Sequence, residues 1–265
     1  MNFLGGYSGW RILFFVGVLP ALLTIPMLFV LREPEAWKLA KAQAAAGTGR
    51  KAGSPIDLLR DARWRSHALV GLFLGLSGMF GLWGIGFFSP ELISTALAGA
   101  PQNQVDTVRG WGLAFQDGGA FLGMLVFTYV ASRWSRRRAF LGAFILSLVV
   151  TSFVFLSLRS AVQAYWKLPM LGFAQLSVFA GYSIYFPELF PTRLRGTGVG
   201  FCYNTVRYLA APAPWLMGKL SSVLKENAVP EPFRVAAVIM SAIFFVGMLA
   251  LLWAPETKGQ PLPED

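Results

Sequence analysis

Long apolar runs, separated by short segments that hold most of the charged residues, constrain the fold of this chain more than any other feature. Seven runs of 19 to 23 residues alternate with such segments in a chain of 265 residues. An α-helix of about 20 apolar residues crosses a hydrocarbon core of roughly 30 Å, so each run is long enough to span a bilayer. The runs are residues 10–31, 68–88, 111–131, 139–158, 165–186, 196–218 and 235–253.

The low share of charged residues in the composition indicates a membrane protein. Charged residues make up 14% of the chain, against about 25% in a typical soluble domain, whereas an apolar share of 55% is ordinary. In lipid, backbone polar groups must be satisfied inside helices or closed barrels, and residues 140–150 lack the polar alternation of barrel strands. We therefore predict an all-α membrane protein with seven transmembrane helices. The first run is too long for a signal peptide and is predicted to be retained.

Several functional classes are excluded or disfavoured by the same composition. The chain is too apolar to be disordered, and one cysteine (Cys202) and one histidine (His67) supply neither a disulfide framework nor a closed zinc site. We predict no cofactor and no metal. A membrane enzyme would need a cluster of acids or histidines near the interface, whereas the predicted spans hold one Asp and no His.

Lys and Arg on short loops predict the orientation, because they are retained on the cytoplasmic side. Fifteen fall on one side of the predicted spans and seven on the other, and Arg207 lies within a span. We expect the first side to be cytoplasmic in the cell (inner) membrane, with the N-terminus of this chain outside and the C-terminus inside. The net charge of +10 then reflects topology and attraction to anionic lipid headgroups, and we predict no nucleic-acid partner.

The polar segments also predict a domain organisation. It comprises an extracytoplasmic stub (1–9), a helix (10–31), a basic cytoplasmic linker (32–66), a six-helix unit (67–254) and a cytoplasmic tail (255–265). Apart from Arg11, next to the start of the first run, the first, fourth and seventh runs contain nothing more polar than Ser or Thr between their end residues, a rhythm typical of three-helix units in transporters. The second run holds six glycines, which suit either close packing or a gating role.

Four short motifs resemble those of one transporter family. Residues 187–198 (PELFPTRLRGTG) are similar to the P-E-x-F-P-x-x-x-R-x-x-G signature after the tenth helix of sugar-porter-like transporters in the major facilitator superfamily. Residues 255–259 (PETKG) resemble the signature after helix twelve, and residues 9–11 and 33–37 resemble the two ends of helix six. Residues 203–207 (YNTVR) are closest to organic-anion-like members, so sugar and organic-acid symporter branches both fit.

The resemblance implies a secondary transporter that moves a small polar solute, an organic anion or a sugar-like molecule, by cation-coupled alternating access. The chain would supply helices six to twelve of twelve, so helices one to five would be missing partners, and we expect a fragment rather than a split transporter. Two alternatives stay open, a non-transporting remnant or split half that needs a partner chain, and an integral membrane enzyme. The chain departs from the family's D-R-x-G-x-R loop at Ser132 and Ser135.

Arg207 is the leading candidate for substrate binding. It lies eleven residues from the inner end of its run, or about 16 Å deep at ~1.5 Å per residue, which is near the bilayer midplane. Asn204 and Tyr208 are predicted to share its helix face. A charge at this depth is costly unless it faces a cavity or a partner, so we predict a site for a carboxylate or other anion. The alternative is a structural arginine paired with a backbone carbonyl or an acid.

Polar residues on two other runs complete the predicted membrane-embedded site. Gln116 is a further candidate for substrate binding, and Asp117 is a candidate for proton coupling, with pairing to Arg109 or to water as its alternative. Gln175 and Tyr182 form a helical stripe with Phe179 and Phe186 that would suit a sugar or aromatic solute. Ordinary packing between helices is the alternative for this stripe.

The resemblance also implies a charge network at the cytoplasmic side. Glu188 and Arg195, together with Arg133, Arg136 or Glu256, would close the inner side when the site opens outward. The alternative is a solvated loop pair worth at most ~1 kcal/mol. Trp83 is predicted to be either a gate or an anchor at the membrane interface.

Overall fold

The computed structural model describes residues 9–31, 33, 35–46 and 53–264. These parts of the chain contain helices and turns and no strand, which confirms the all-α prediction. The chain divides into two compact units, Met1–Arg50 and Lys51–Asp265. The predicted stub lies outside the described residues apart from Gly9, as do residues 32, 34 and 47–52 of the predicted linker.

The first unit contains four short helices. They are α1 (Gly9–Val16), α2 (Leu19–Leu22), α3 (Thr24–Val30) and α4 (Glu35–Ala45). The first predicted span is therefore interrupted, and Pro20 lies in the first turn of α2, where a missing N–H costs little. Large apolar side chains such as Phe14 and Phe29 are exposed here, as expected of a surface that faces lipid or further protein.

The second unit carries the remaining helices. They are α5 (Pro55–Arg60), α6 (Ala62–Gly84), a 3₁₀ turn (Gly86–Phe88), α7 (Ser89–Ala96), α8 (Gln102–Arg133), α9 (Arg136–Ser157), α10 (Ala161–Glu188), α11 (Arg195–Gly200), a π turn (Phe201–Thr205), α12 (Val206–Ala210), α13 (Ala213–Glu226), α14 (Pro232–Ser241) and α15 (Ile243–Ala250). Short loops join α8 to α9 and α9 to α10, so these neighbours run antiparallel.

Four helical stretches among the described residues are long and apolar enough to cross a membrane. They are Ala62–Ala96, Gln102–Arg133, Arg136–Ser157 and Pro232–Ala250. They correspond to the second, third, fourth and seventh predicted runs, and seven spans remain a prediction. The other three predicted runs are not found as long apolar helices, for physical reasons. The first run is interrupted, the fifth run (α10) carries polar residues such as Gln175, and the sixth run is broken into short helices.

Glycines allow α8 and α10 to pack with their backbones in contact. A Cβ atom on Gly119 or Gly123 of α8 would overlap the carbonyl groups of Pro169 and Phe173 on α10, and one on Gly172 would overlap α8. Such small residues permit the close approach from which membrane helices gain van der Waals contact. The polar residues of α8 and α10 are therefore held at fixed positions relative to each other.

The glycines of α6 also serve close packing. Gly71 and Gly75 leave room for Cys202 in the π turn, Gly78 for the Tyr182 ring, and Gly81 for Phe244 of α15. A side chain at any of these positions would meet a neighbouring helix. Of the two alternatives raised by this glycine-rich run, the structure thus displays the packing one.

Candidate functional site

The predicted sixth span is the most irregular helix in the second unit. Residues 196–218 are divided among α11, the π turn, α12 and α13 instead of forming one helix. Three glycines in α11 and Pro212 before α13 weaken the helical hydrogen bonding around this break. π turns inside helices are frequent at functional sites. This π turn contains Asn204, and Arg207 is the second residue after its end.

Arg207 is exposed and holds its charge without an acidic partner in the described part of the chain. Its guanidinium carbon lies 5.0 Å from the centroid of the Tyr203 ring, a cation–π arrangement. No hydrogen bond or ion pair of this side chain occurs within residues 53–264. The structural alternative, an arginine paired with an acid or a carbonyl, is therefore not seen among these residues.

The polar side chains next to Arg207 are also exposed and without hydrogen-bond partners among the described residues. Asn204 is exposed, and Tyr208 has 81% of its surface accessible. Their side chains make no hydrogen bonds to other described residues. An amide, a guanidinium and a phenol on this broken helix are thus all free to contact a further group.

A cavity of 610 Å³ contains the two polar residues predicted on α8. Gln116 and Asp117 line it together with Trp83, Gly86 and Glu91, so α6, α7 and α8 all contribute. Gln116 is buried, and its Oε1 has no hydrogen-bond donor within the described residues. A buried acceptor without a donor is costly, so this oxygen is a candidate contact for a solute or an ion. We call this space the Gln116 cavity.

Asp117 does not pair with Arg109, which was one of its two predicted alternative partners beside water. The Arg109 guanidinium instead donates to the carbonyl of Pro90 at 3.3 Å and to Ser94 Oγ, and it lies 3.8 Å from Asp106. Asp117 is exposed and forms no ion pair with the residues the structure describes. The carboxyl group is therefore open to the cavity.

Gln175 connects α10 to the same region. Its Nε2 donates to Thr151 Oγ1 at 3.1 Å, while its buried Oε1 accepts no hydrogen bond from described residues. That oxygen lies where a Cβ on Gly86 would be, and Gly86 lines the Gln116 cavity. The structure thus brings Gln116, Asp117 and Gln175 to one region, whereas Asn204 and Arg207 do not line this cavity.

Tyr182 is placed differently from the other predicted binding residues. It is 1% exposed, and its hydroxyl donates to the carbonyl of Leu74 at 2.6 Å. Its ring stacks on Phe186 with centroids 4.9 Å apart and meets the edge of Phe179. These contacts of Tyr182 correspond to the alternative in which the stripe packs between helices. Gln175 is then the residue of the stripe that retains an acceptor oxygen without a hydrogen bond from the described residues.

Trp83 lies at the wall of the Gln116 cavity. About half of its surface is exposed, and its ring packs against Phe87 with centroids 5.9 Å apart. Its position is compatible with both predicted roles, a gate and an interfacial anchor.

Arg136 and Glu188, two residues of the charge network that the resemblance predicts, are paired with each other. The Arg136 guanidinium donates two hydrogen bonds to the Glu188 carboxylate, at 2.9 and 3.2 Å. Thr257 Oγ1 donates to the same carboxylate at 2.6 Å. Bidentate arginine–carboxylate pairs are among the stronger hydrogen-bonded pairs in proteins, so this contact ties α9, α10 and the C-terminal tail together.

Glu256 binds the N-terminal end of α9. It accepts hydrogen bonds from the backbone N–H groups of Arg136 at 3.0 Å and Arg137 at 3.3 Å, and from the Ser135 hydroxyl. A carboxylate is favourable there, because the first N–H groups of a helix lack partners within the helix. Burial raises the pKa of Glu256, but these hydrogen bonds, with one from the Lys258 N–H, lower it below its ordinary value.

Arg195 and Arg133 contribute less directly than predicted. Arg195 Nε donates to the carbonyl of Pro187 at 3.1 Å, and the described residues include no ion pair between Arg195 and Glu188. Arg133 contributes its backbone carbonyl, which accepts from Lys258 Nζ. In this conformation the acidic groups of the network are therefore held by Arg136 and by the end of α9.

Sequence reasoning missed several residues that hold this side together. Ser135, noted only as a departure from the family loop, caps α9 by accepting from the Arg138 N–H, and a serine before a helical run is a recognisable cap signal. Arg193 forms an ion pair with Asp57 at 3.3 Å. No local pattern identifies that pair, because its members are 136 residues apart.

Comparisons with known proteins agree with the resemblance. The cis,cis-muconate transport protein of Acinetobacter baylyi is 26% identical over 256 residues, covering 96% of this chain and 59% of that protein. A putative metabolite transport protein of Haemophilus influenzae is 26% identical, with 97% and 60% covered. A probable 4-methylmuconolactone transporter of Cupriavidus pinatubonensis is 27% identical, with 94% and 54% covered.

The chain thus spans 54% to 60% of the length of these curated relatives. The family profile of the Major Facilitator Superfamily matches residues 1–213, which is most of the chain. Both findings confirm the predicted resemblance, and the matching family is one of transporters rather than of enzymes. The chain therefore belongs to the Major Facilitator Superfamily of multi-pass membrane transporters.

Proposed function

We propose that this chain forms the C-terminal half, with the preceding helix, of a secondary active transporter for a small organic anion. The observation that carries the proposal is Arg207, an exposed cation on a broken helix with no acidic partner in the described unit. An ionised side chain inside a membrane persists where it faces a cavity or partner. A carboxylate on the solute would supply that partner.

The chemistry around Arg207 and the names of the relatives favour an anion over a sugar. Asn204 and Tyr208 add donors that suit carboxylate oxygens, beside a guanidinium that can bind one bidentately. One relative is named for cis,cis-muconate and another for 4-methylmuconolactone.

The proposed topology follows the charge distribution. Seven helices span the cell (inner) membrane, the N-terminus of this chain lies outside, and the C-terminus and the basic linker lie in the cytoplasm. The domain boundaries are those predicted from the sequence. Five preceding helices would supply the other wall of a central cavity, and two halves that rock against each other would expose the solute alternately.

Cation coupling is assigned to the Gln116 cavity. Asp117 offers a carboxyl group, and Gln116 and Gln175 offer acceptor oxygens without donors among the described residues. Acceptors of this kind suit a proton or a cation rather than an anion. Solute and coupling cation would therefore occupy different places, at Arg207 and at Asp117.

The network of Arg136, Glu188 and Glu256 is proposed to hold the cytoplasmic side closed. Its bonds join α9, α10 and the tail, so opening that side would require some of them to break. Arg195, which donates to the carbonyl of Pro187, and Arg133, whose carbonyl accepts from Lys258, would exchange partners during that step.

Uptake into membrane vesicles tests the proposal. The chain with the upstream helices restored should take up muconate, and Arg207→Ala should lower that uptake by about tenfold or more, since hydrogen bonds to charged groups contribute ~1.5–3 kcal/mol. Arg60→Ala, which removes an exposed arginine on α5, serves as the matched control and should retain uptake. Full retention by Arg207→Ala would refute the anion site, and no uptake by the restored protein would refute transport.

A further inference from the structure

A groove on the outer surface of the helix bundle lies apart from the sites described above. It has a volume of 580 Å³ and is bounded by α8, α9 and α10. Its walls are apolar, with Val126, Phe127, Leu146 and Phe173 among the lining residues. The Ser177 hydroxyl at its floor is satisfied, because it donates to the carbonyl of Ala174 at 2.7 Å. A groove without free polar groups at its floor suits a hydrocarbon chain.

Two glycines give the groove its depth. Gly123 packs directly on the backbone of Phe173, which brings α8 and α10 together at the floor. Gly142 of α9 also lines the groove, and nothing lies within 4 Å of a Cβ atom placed on it. The space beside Gly142 is therefore open, and a larger side chain there would occupy it without meeting another helix.

The mouth of the groove is basic and aromatic. Trp134 and Arg138 line it at the junction of α8 and α9, and 71% of the Trp134 surface is exposed. Tryptophan favours the boundary between hydrocarbon and water, so this end lies at headgroup level. Two further arginines are close to this junction in the sequence, Arg133 as the last residue of α8 and Arg137 in the first turn of α9.

The positive charge at this mouth is not neutralised by any of the described residues. Arg136 is paired with Glu188, and Glu256 is bound to the N-terminal end of α9. The guanidinium groups of Arg133 and Arg138 have no hydrogen-bond or ion-pair partner in the described part of the chain. An excess of positive charge therefore adjoins an apolar groove at the edge of the membrane.

We propose that this groove binds one anionic phospholipid, with an acyl chain between α8, α9 and α10 and the phosphate against Arg138. Basic residues near a membrane surface attract anionic lipids by about 1 kcal/mol each, which corresponds to about fivefold in occupancy. The volume is within the ~300–1,000 Å³ of sites that bind small molecules. A zwitterionic lipid would fill the apolar part equally but gain less from the arginines.

Native mass spectrometry of the purified 265-residue chain tests this proposal, with palmitoyl-oleoyl phosphatidylglycerol and phosphatidylcholine supplied at equal concentrations. The chain should retain about fivefold more phosphatidylglycerol, and the preference should weaken as salt is raised. Arg138→Gln should remove most of the preference. Gly142→Leu, which fills the groove, should lower the occupancy of both lipids.

Matched controls separate the groove from general surface effects. Arg60→Gln removes another exposed arginine, and Gly218→Leu adds a side chain to another helical glycine with open space around it. Both should bind lipid as the unmodified chain does. Equal retention of the two lipids by the unmodified chain overturns the proposal, as does unchanged preference in Arg138→Gln or unchanged occupancy in folded Gly142→Leu. If Gly142→Leu does not fold, as checked by far-UV circular dichroism, the result for Arg138→Gln decides.

Discussion

The residues of the predicted charge network and the polar residues Arg207 and Asp117 differ in whether their charges have partners. Arg136, Glu188 and Glu256 each have two or more partners, and those partners lie on different helices or on the tail. Arg207 and Asp117, by contrast, form no ion pair with any described residue. Paired charges contribute to the stability of one conformation, whereas charges held without partners are available to bind something else.

The same contrast applies to hydrogen-bond acceptors. Every carboxylate oxygen of Glu188 and Glu256 accepts a hydrogen bond, while Oε1 of Gln116 and of Gln175 accepts none from the described residues. Orphaned buried acceptors are uncommon, because each costs free energy. One of these two oxygens belongs to a residue that lines the Gln116 cavity, and the other lies beside Gly86 at its wall.

The largest expected effect on stability comes from breaking the Arg136–Glu188 pair. Glu188→Ala should lower the free energy of unfolding by about 3 kcal/mol, because it leaves the guanidinium of Arg136 partly buried without its bidentate partner. The measurement is denaturant titration in detergent micelles. Glu226→Ala, which removes an exposed acid of α13, is the control and should change stability by less than about 0.5 kcal/mol.

A double variant sharpens this prediction. Glu188→Ala combined with Arg136→Ala should cost less than the two single changes added together, since both remove the same interaction. Additive costs would show that the pair contributes nothing of its own.

A smaller effect is expected from Glu256→Gln. The change keeps the size of the side chain but removes the negative charge from the N-terminal end of α9, which should cost about 1 kcal/mol. The same titration measures it. An unchanged free energy of unfolding would mean that the charge of Glu256 does not stabilise α9.

The contribution of Glu256 should also depend on pH. Its hydrogen bonds hold the pKa of the folded state below that of the unfolded chain, so its stabilising effect is fully present above the unfolded value of about 4.3. The effect is lost as the pH falls through the lower, folded pKa. The stability difference between the unmodified chain and Glu256→Gln should therefore be constant above about pH 5.5 and shrink below about pH 4. A difference that grows on acidification would contradict this assignment.

The smallest effect on stability is expected at Arg207. Arg207→Ala should change the free energy of unfolding by less than about 1 kcal/mol, because the guanidinium forms no hydrogen bond within the described unit and loses only an exposed cation–π contact with Tyr203. Arg136→Ala, which removes a paired arginine, is the matched comparison in the same assay. A loss above about 1 kcal/mol in Arg207→Ala would identify it as a structural arginine.

Much of this molecule could be predicted from residue order. The all-α fold follows from apolar runs that can satisfy their backbone groups in lipid only as helices or barrels. The motif at residues 187–198 predicted the family, and it placed Glu188 in a charge network. These features are local, because they depend on residue type and short spacing.

Other predictions depended on contacts that residue order does not contain. The residues of the predicted stripe on α10 have different environments in the structure. The Tyr182 hydroxyl donates to the carbonyl of Leu74, whereas Oε1 of Gln175 accepts no hydrogen bond from the described residues. Arg136, rather than Arg195, became the partner of Glu188, because α9 begins beside the end of α10. The break at Phe201–Thr205 was also not foreseen within what reads as one continuous apolar run.

The sequence by itself thus determined that this chain belongs in a lipid bilayer, that it is helical and which family it belongs to. Hydrophobic periodicity, the length of the apolar runs and their missing charge are all properties of residues that are close together in the chain. Tertiary structure alone decided which polar groups are satisfied and which are left open. That division depends on distances between helices far apart in the chain, as between Glu256 and the first turn of α9, about 120 residues away. Two arginines or two glutamines cannot be distinguished from their residue type alone. Whether each has a hydrogen-bond partner is decided only when the helices pack.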